Sequence, residues 1–175
     1  MSQLHHVAAS AIERLSMLPP ALWIVTGVPG ERRSEIARAL VSSFKRAAHV
    51  SGDALAGAID GGRVLPGEEP HDEAERQVEL AIRNQCLLAR SYAEAGFTPV
   101  LEYAVLTRHQ LDAYRHYLAG GRLRLVVVDA ENENSDGLAL LREELGDVGA
   151  RAGAGPANEV IASIRADEAA ATVEG

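Results

Sequence analysis

The stretch Gly27-Val28-Pro29-Gly30-Glu31-Arg32-Arg33-Ser34 has the outline of a phosphate-binding loop, in which Gly, four residues and then Gly-Lys-Ser/Thr follow a strand and open a helix. Such a loop works because bare backbone amides curl around phosphate oxygens while a lysine neutralises them. Gly27 and Ser34 suit that chemistry, but Arg32 stands at the second required glycine and Arg33 at the lysine, so the stretch, Gly30 included, reads as a degenerate nucleotide loop. The only lysine in the chain, Lys45, lies about three helical turns further on and cannot substitute. Two readings stay open. In one, Arg33 stands in for lysine at an anion site; in the other, the turn has lost its ligand and Glu31 and Glu35 cap the freed helix amides.

Further candidates sit where strands should end, the edge at which open α/β sheets bind ligands. Asp53, Glu102 and Tyr103 are candidate catalytic acid–base groups, and burial is expected to raise the carboxylates toward useful base strength. Asp53 is equally suited to cap a helix beginning at Ala54. Arg76 and Arg83, two helical turns apart, share a face and with Thr26 are candidates for binding substrate, the alternative for the arginines being a solvated face. His49, His109 and His116 show no metal-ligand spacing, and no metal site is expected. Cys86, the one cysteine, falls mid-helix and reads as an inert core thiol.

These residues need a scaffold, and the hydrophobic periodicity supplies one. The apolar run Leu22 to Thr26 is followed by Ile36, Ala37, Leu40, Val41 and Phe44 at helical spacing: strand, turn, helix. A short strand at Ala48 to Val50 leads through a Gly- and Pro-rich loop, Gly61 to Pro70, into one long helix from Asp72 to Ala95 carrying Val78, Ala81, Ile82, Leu87, Leu88 and Tyr92. Strand, helix and strand follow at Thr98 to Tyr103, Arg108 to Leu118 and Leu123 to Val128. This alternation predicts a three-layer α/β domain with a mainly parallel sheet of four or five strands, Leu22 to Thr26 central. That domain is expected over residues 20–145, after an amphipathic helix within 1–19. Residues 146–175 read as a flexible Gly/Ala connector and a last helix, and a fifth strand is hard to find there.

With 175 residues, 47% of them hydrophobic and 24% charged, the chain reads as one globular domain. Seventeen Lys plus Arg against 25 Asp plus Glu give a net charge of −8, which argues against nucleic acid and anionic membrane as partners. The start of the chain lacks the pattern of a signal peptide, so a cytoplasmic protein is expected. A small-molecule substrate is the expected partner, with self-association into a homodimer left open.

The ordered motifs, Leu22 to Leu40, His49-Val50-Ser51-Gly52-Asp53, Arg76-Gln77, Ile82 to Arg90, Ala95-Gly96-Phe97-Thr98 and Leu123 to Val128, together resemble the chloramphenicol phosphotransferase-like and zeta-toxin-like P-loop kinases. The likeness covers roughly residues 20–145. It implies the P-loop NTPase fold of the nucleoside-kinase kind, ATP and magnesium at the loop, and an acceptor-engaging aspartate at Asp53. It also implies a carboxylate near Glu102 and an arginine-bearing lid after the fourth strand. The sequence departs from that pattern in the loop and in the lid, where residues 129–147 hold seven acids against Arg142 alone.

Three functions follow. The first is a repurposed small-molecule enzyme that uses the old acceptor cleft for acid–base chemistry, with no cofactor. The second is an ATP- and magnesium-dependent O-phosphotransferase in which Arg33 replaces the lysine and Ser34 holds the metal. The third is a non-catalytic binding module of the same fold.

Overall fold

The computed structural model describes residues 20–173 except 28, 106, 129–138, 141–142, 144–148 and 153. The expected amino-terminal helix and the acidic stretch after Val128 lie outside the described residues, apart from isolated positions.

Five parallel strands form one sheet in the order β2-β3-β1-β4-β5. They are β1 (Leu22–Gly27), β2 (Ala47–Ser51), β3 (Thr98–Glu102), β4 (Leu123–Val128) and β5 (Gly149–Ala152). β1 is central, and all six of its residues are buried, as an apolar strand covered on both faces requires. Its side chains alternate between two cores. Leu22 and Ile24 pack with Leu101, Leu125 and Val127 under the helices α3 (His71–Glu94) and α4 (Arg108–Tyr117). Trp23 and Val25 pack with Val100, Val126 and Val128 under α1 (Glu31–Ser42) and α5 (Ala157–Val173). A short helix, α2 (Gly52–Gly57), starts directly from β2. None of the described helices is long and apolar enough to cross a membrane.

Two expectations are corrected. The segment expected to be a connector supplies β5, whose Gly149 to Ala152 pair in register with Leu125 to Val128, so the sheet continues past residue 145. A strand of one glycine, two alanines and one arginine, without a β-branched side chain, gives no alternating signal; Ala152 is buried under Ile161 and Ile164 of α5, where a small side chain permits close approach. In α3 the buried stripe is Ala74, Gln77, Ala81, Ile82, Gln85, Cys86 and Ala89, while Leu87, Leu88 and Tyr92 face outward. Ile82 and the partly buried Val78 do mark the inner face, but most of the stripe is alanine, so Leu87, Leu88 and Tyr92 do not. Cys86 is buried as expected, and burial pushes its thiol up to about 12 despite the nearby Arg90 charge, which keeps it inert.

The loop after β1 depends on Gly27. Its φ is 120°, and a Cβ there would stand 2.1 Å from the Val128 carbonyl oxygen.

Candidate functional site

Because β1, β2 and β3 run parallel, the helices that leave the first two begin over the carboxyl end of the third, and their first turns meet there. Arg33, on the first turn of α1, is only 3% exposed. Its Nη2 donates to Asp53 Oδ2 at 2.6 Å and its Nε to Glu102 Oε1 at 3.3 Å, so one planar fork spans α2 and β3. Ser34 Oγ donates to the same Glu102 oxygen at 2.6 Å, and His49 Nε2 lies 2.8 Å from Glu102 Oε2. Arg33 Nη1 is buried without a hydrogen-bond partner among the described residues. Arg32 turns the other way: its Nη2 donates to the Gly155 carbonyl at 2.6 Å, and its Nη1 pairs with Glu35 at 3.2 Å.

Glu102 is 2% exposed. Burial by itself would raise its pKa, but the hydrogen bonds from His49 and Ser34 and the charge and hydrogen bond of Arg33 outweigh it, holding the carboxyl at about 2. The expectation that burial would raise this carboxylate toward base strength is therefore corrected: it is a permanent anion that fixes Arg33. Tyr103 is pushed the other way, raised by burial and by the Asp53 charge, and keeps its phenolic proton at neutral pH. Asp53 is the open member of the group, with its side chain 61% exposed.

Buried polar residues hold this geometry. Gln85 Nε2 donates to the carbonyls of Val50 at 2.7 Å and Glu102 at 3.0 Å, fixing the ends of β2 and β3, and its Oε1 accepts from the Tyr114 hydroxyl. Gly52 lies against Tyr103, where a Cβ would come 2.4 Å from the ring. Ser51 caps α2, its side chain accepting from the Ala54 amide at 3.3 Å. That answers the cap question for Asp53, which sits within the first turn of the helix and faces Arg33.

The structure brings Arg33, Ser34, Asp53 and Glu102 together and places Tyr103 beside them. Gly27 and Gly30, both at positive φ, bracket the turn into α1. It does not bring in Arg76 or Arg83. Arg76 is exposed and paired with Asp72 and Glu73 of its own helix, and Arg83 is an exposed neighbour of the Tyr117 hydroxyl, as the solvated-face reading expected. Thr26 is fully buried; its hydroxyl accepts from the Val105 amide at 2.8 Å and donates to the Val105 carbonyl at 3.4 Å, tying β1 to the chain after β3. No group of three or more His, Cys, Asp or Glu among the described residues is placed to hold a metal.

A cavity of about 340 Å³ opens beside Asp53 and is bounded also by Tyr103, Arg63, Gln77 and Gln110. Arg63 is not among the candidates that the sequence yields, and Gln77 enters there only within the Arg76-Gln77 motif. Gln77 donates to the Gly62 carbonyl at 2.7 Å and accepts from the Val64 amide at 2.9 Å, so it presents Arg63 at the cavity wall. The signal was available: Arg63 is the one cation in the Gly61 to Pro70 loop, and Gln77 and Gln85 are polar residues on the stripe that α3 buries.

No family model matches the chain, and no curated protein matches it. Solved structures do. A gluconokinase from Sinorhizobium meliloti is similar at 18% identity, 85% of this chain and 91% of that one, with a TM-score of 0.55. The tunicamycin resistance protein of Deinococcus radiodurans is similar at 14% identity, 85% and 94% coverage, with a TM-score of 0.57. The Mycobacterium tuberculosis APS kinase CysC, solved in complex with AMPPNP and APS, is similar at 15% identity, 90% and 99% coverage, with a TM-score of 0.57. The fold is that of the P-loop kinases.

Proposed function

We propose that this chain is a small-molecule enzyme of the kinase fold that works from the acceptor cleft, with Asp53 moving a proton, and does not transfer phosphate from ATP. The observation that carries this reading is the engagement of Arg33 by Asp53 at 2.6 Å and Glu102 at 3.3 Å, together with that of Ser34 by Glu102 at 2.6 Å. The two groups a degenerate loop would offer to phosphates and magnesium are already bound to the protein's own carboxylates. Freeing Arg33 would strand the buried Glu102 anion, a loss on the order of 3 kcal/mol or more. As arranged, this donor set does not fit magnesium-ATP, and Arg32, bonded across to Gly155, fills the place of the second loop glycine.

The acceptor side is open. Asp53 lines the cavity, Tyr103 offers a phenolic donor, and Arg63 offers a cation to an anionic substituent. A small hydroxy acid matches these groups: its carboxylate meets Arg63, and its hydroxyl or adjacent C–H meets Asp53.

A second reading, ATP-dependent transfer with Arg33 on the phosphates, is favoured by one feature, the buried Arg33 Nη1 without a partner. A panel of small hydroxy acids and polyols, followed by proton NMR in D2O and by phosphorus NMR with magnesium-ATP, separates the two. The proposal expects deuterium exchange into a panel member that Asp53→Asn abolishes. Transfer of phosphate to any member overturns it.

A further inference from the structure

A second and larger cavity, about 520 Å³, lies between α3 and α4 and meets the first at Pro66, Val78 and Gln110. Resting on the reading of the first as the substrate cleft, we propose that the second takes the apolar body and terminal ammonium of an elongated amine substrate. α3 builds one wall at helical spacing. Ala74, Val78 and Ile82, with Ala113 of α4 opposite, give an apolar lining that suits a hydrocarbon stem. Glu75 and Glu79, one turn apart, set two carboxylates on the same wall.

Neither carboxylate pairs with an arginine or lysine among the described residues, and neither an arginine nor a lysine lines the cavity. Glu79 accepts a hydrogen bond from the Tyr117 hydroxyl at 3.1 Å and faces His109 at 3.9 Å; Glu75 has no such partner. Like charges at this spacing on a helix repel, and a cation between them relieves that repulsion. The remaining titratable group on the lining, His71, is held by Glu69 at 3.0 Å. Of the arginines of α3, Arg76 is paired with Asp72 and Glu73, Arg90 donates to the Tyr117 and Ala119 carbonyls, and Arg83 stands on the Tyr117 side of Glu79; none of the three lines the cavity. A cationic guest is therefore favoured over an anionic one. A metal ion is disfavoured, since no described cluster has the ligands to hold it.

The test uses two probes: 4-phenylbutylamine for the second cavity and glycerate for the first. The neutral 4-phenylbutan-1-ol serves as the control for charge. In ligand-observed NMR the amine and glycerate are expected to bind wild-type protein together and to show interligand contacts across Val78 and Gln110. The alcohol should bind at least about ten-fold more weakly than the amine, the scale of one charge-assisted contact. Glu75→Gln with Glu79→Gln should bring the amine down to the alcohol's level and leave glycerate unchanged, while Arg63→Ala does the reverse. Equal binding of amine and alcohol, or amine binding unchanged in the double variant, overturns the inference. Failure of glycerate to bind the wild-type protein, with the amine bound, overturns the acceptor reading and supports the second cavity as a site by itself.

Discussion

Arg33 Nη2 lies 2.6 Å from Asp53 Oδ2, an ion pair that ties the first turn of α1 to the first turn of α2 across the carboxyl edge of the sheet. Arg33 is buried and Asp53 is open, so the arginine is held in place while the aspartate keeps a face toward the cavity.

Removing the arginine should be costly. Arg33→Ala leaves Glu102 buried with only His49 and Ser34, and urea unfolding should show a loss of about 3 kcal/mol. Arg33→Lys should recover only part of it, because one ammonium cannot span both Asp53 and Glu102 as the fork does. Full recovery by lysine would show that the fork is not needed.

Acid should find the same network. In the folded chain the Glu102 carboxyl is held at about 2, below the ordinary value of 4.5, so its contribution to stability is present above 4.5 and is lost as pH falls through 2. Thermal unfolding of wild type followed from pH 5 downward should therefore steepen over that interval. In Glu102→Gln this part of the slope should vanish, with a lower melting temperature already at pH 7. An identical pH dependence in both proteins would mean that Glu102 is not the anion described here.

Gln85 joins three groups, so its loss should exceed that of one hydrogen bond. Gln85→Leu leaves the Val50 and Glu102 carbonyls and the Tyr114 hydroxyl without this partner, and a destabilisation of about 2–3 kcal/mol is expected. Adding Tyr114→Phe should cost less in that background than in wild type, a coupling that a double-mutant cycle measures. Strict additivity would contradict the shared bond.

Gly27→Ala should be among the most damaging single changes. The methyl group would meet the Val128 carbonyl at a φ that L-residues rarely adopt, and a loss of at least about 3 kcal/mol is expected in denaturant titration. A well-folded variant with wild-type stability would mean that β1 and β4 separate easily at this end.

Much of this architecture was legible. The runs at Leu22 and Leu123 are long and apolar enough to announce buried parallel strands, and Gly27 and Asp53 follow their strands as the fold requires. β5 was not, because Gly149-Ala150-Arg151-Ala152 carries no periodic signal and becomes a strand only by pairing with β4. Glu102 is legible as a residue but its chemistry is not: the sequence does not show that His49, Ser34 and Arg33 converge on it, and those three donors reverse the effect of burial. Arg76 and Arg83 share a face, yet that face is solvent, since pairing with Asp72 and Glu73 one turn away needs no cleft.

The central claim is that Arg33 and Ser34 serve the protein's own carboxylates instead of a nucleotide. Calorimetric titration of magnesium-ATP into the wild-type chain tests it most directly. The account predicts no saturable heat up to millimolar nucleotide; a binding isotherm with a micromolar Kd that Arg33→Ala abolishes would contradict it.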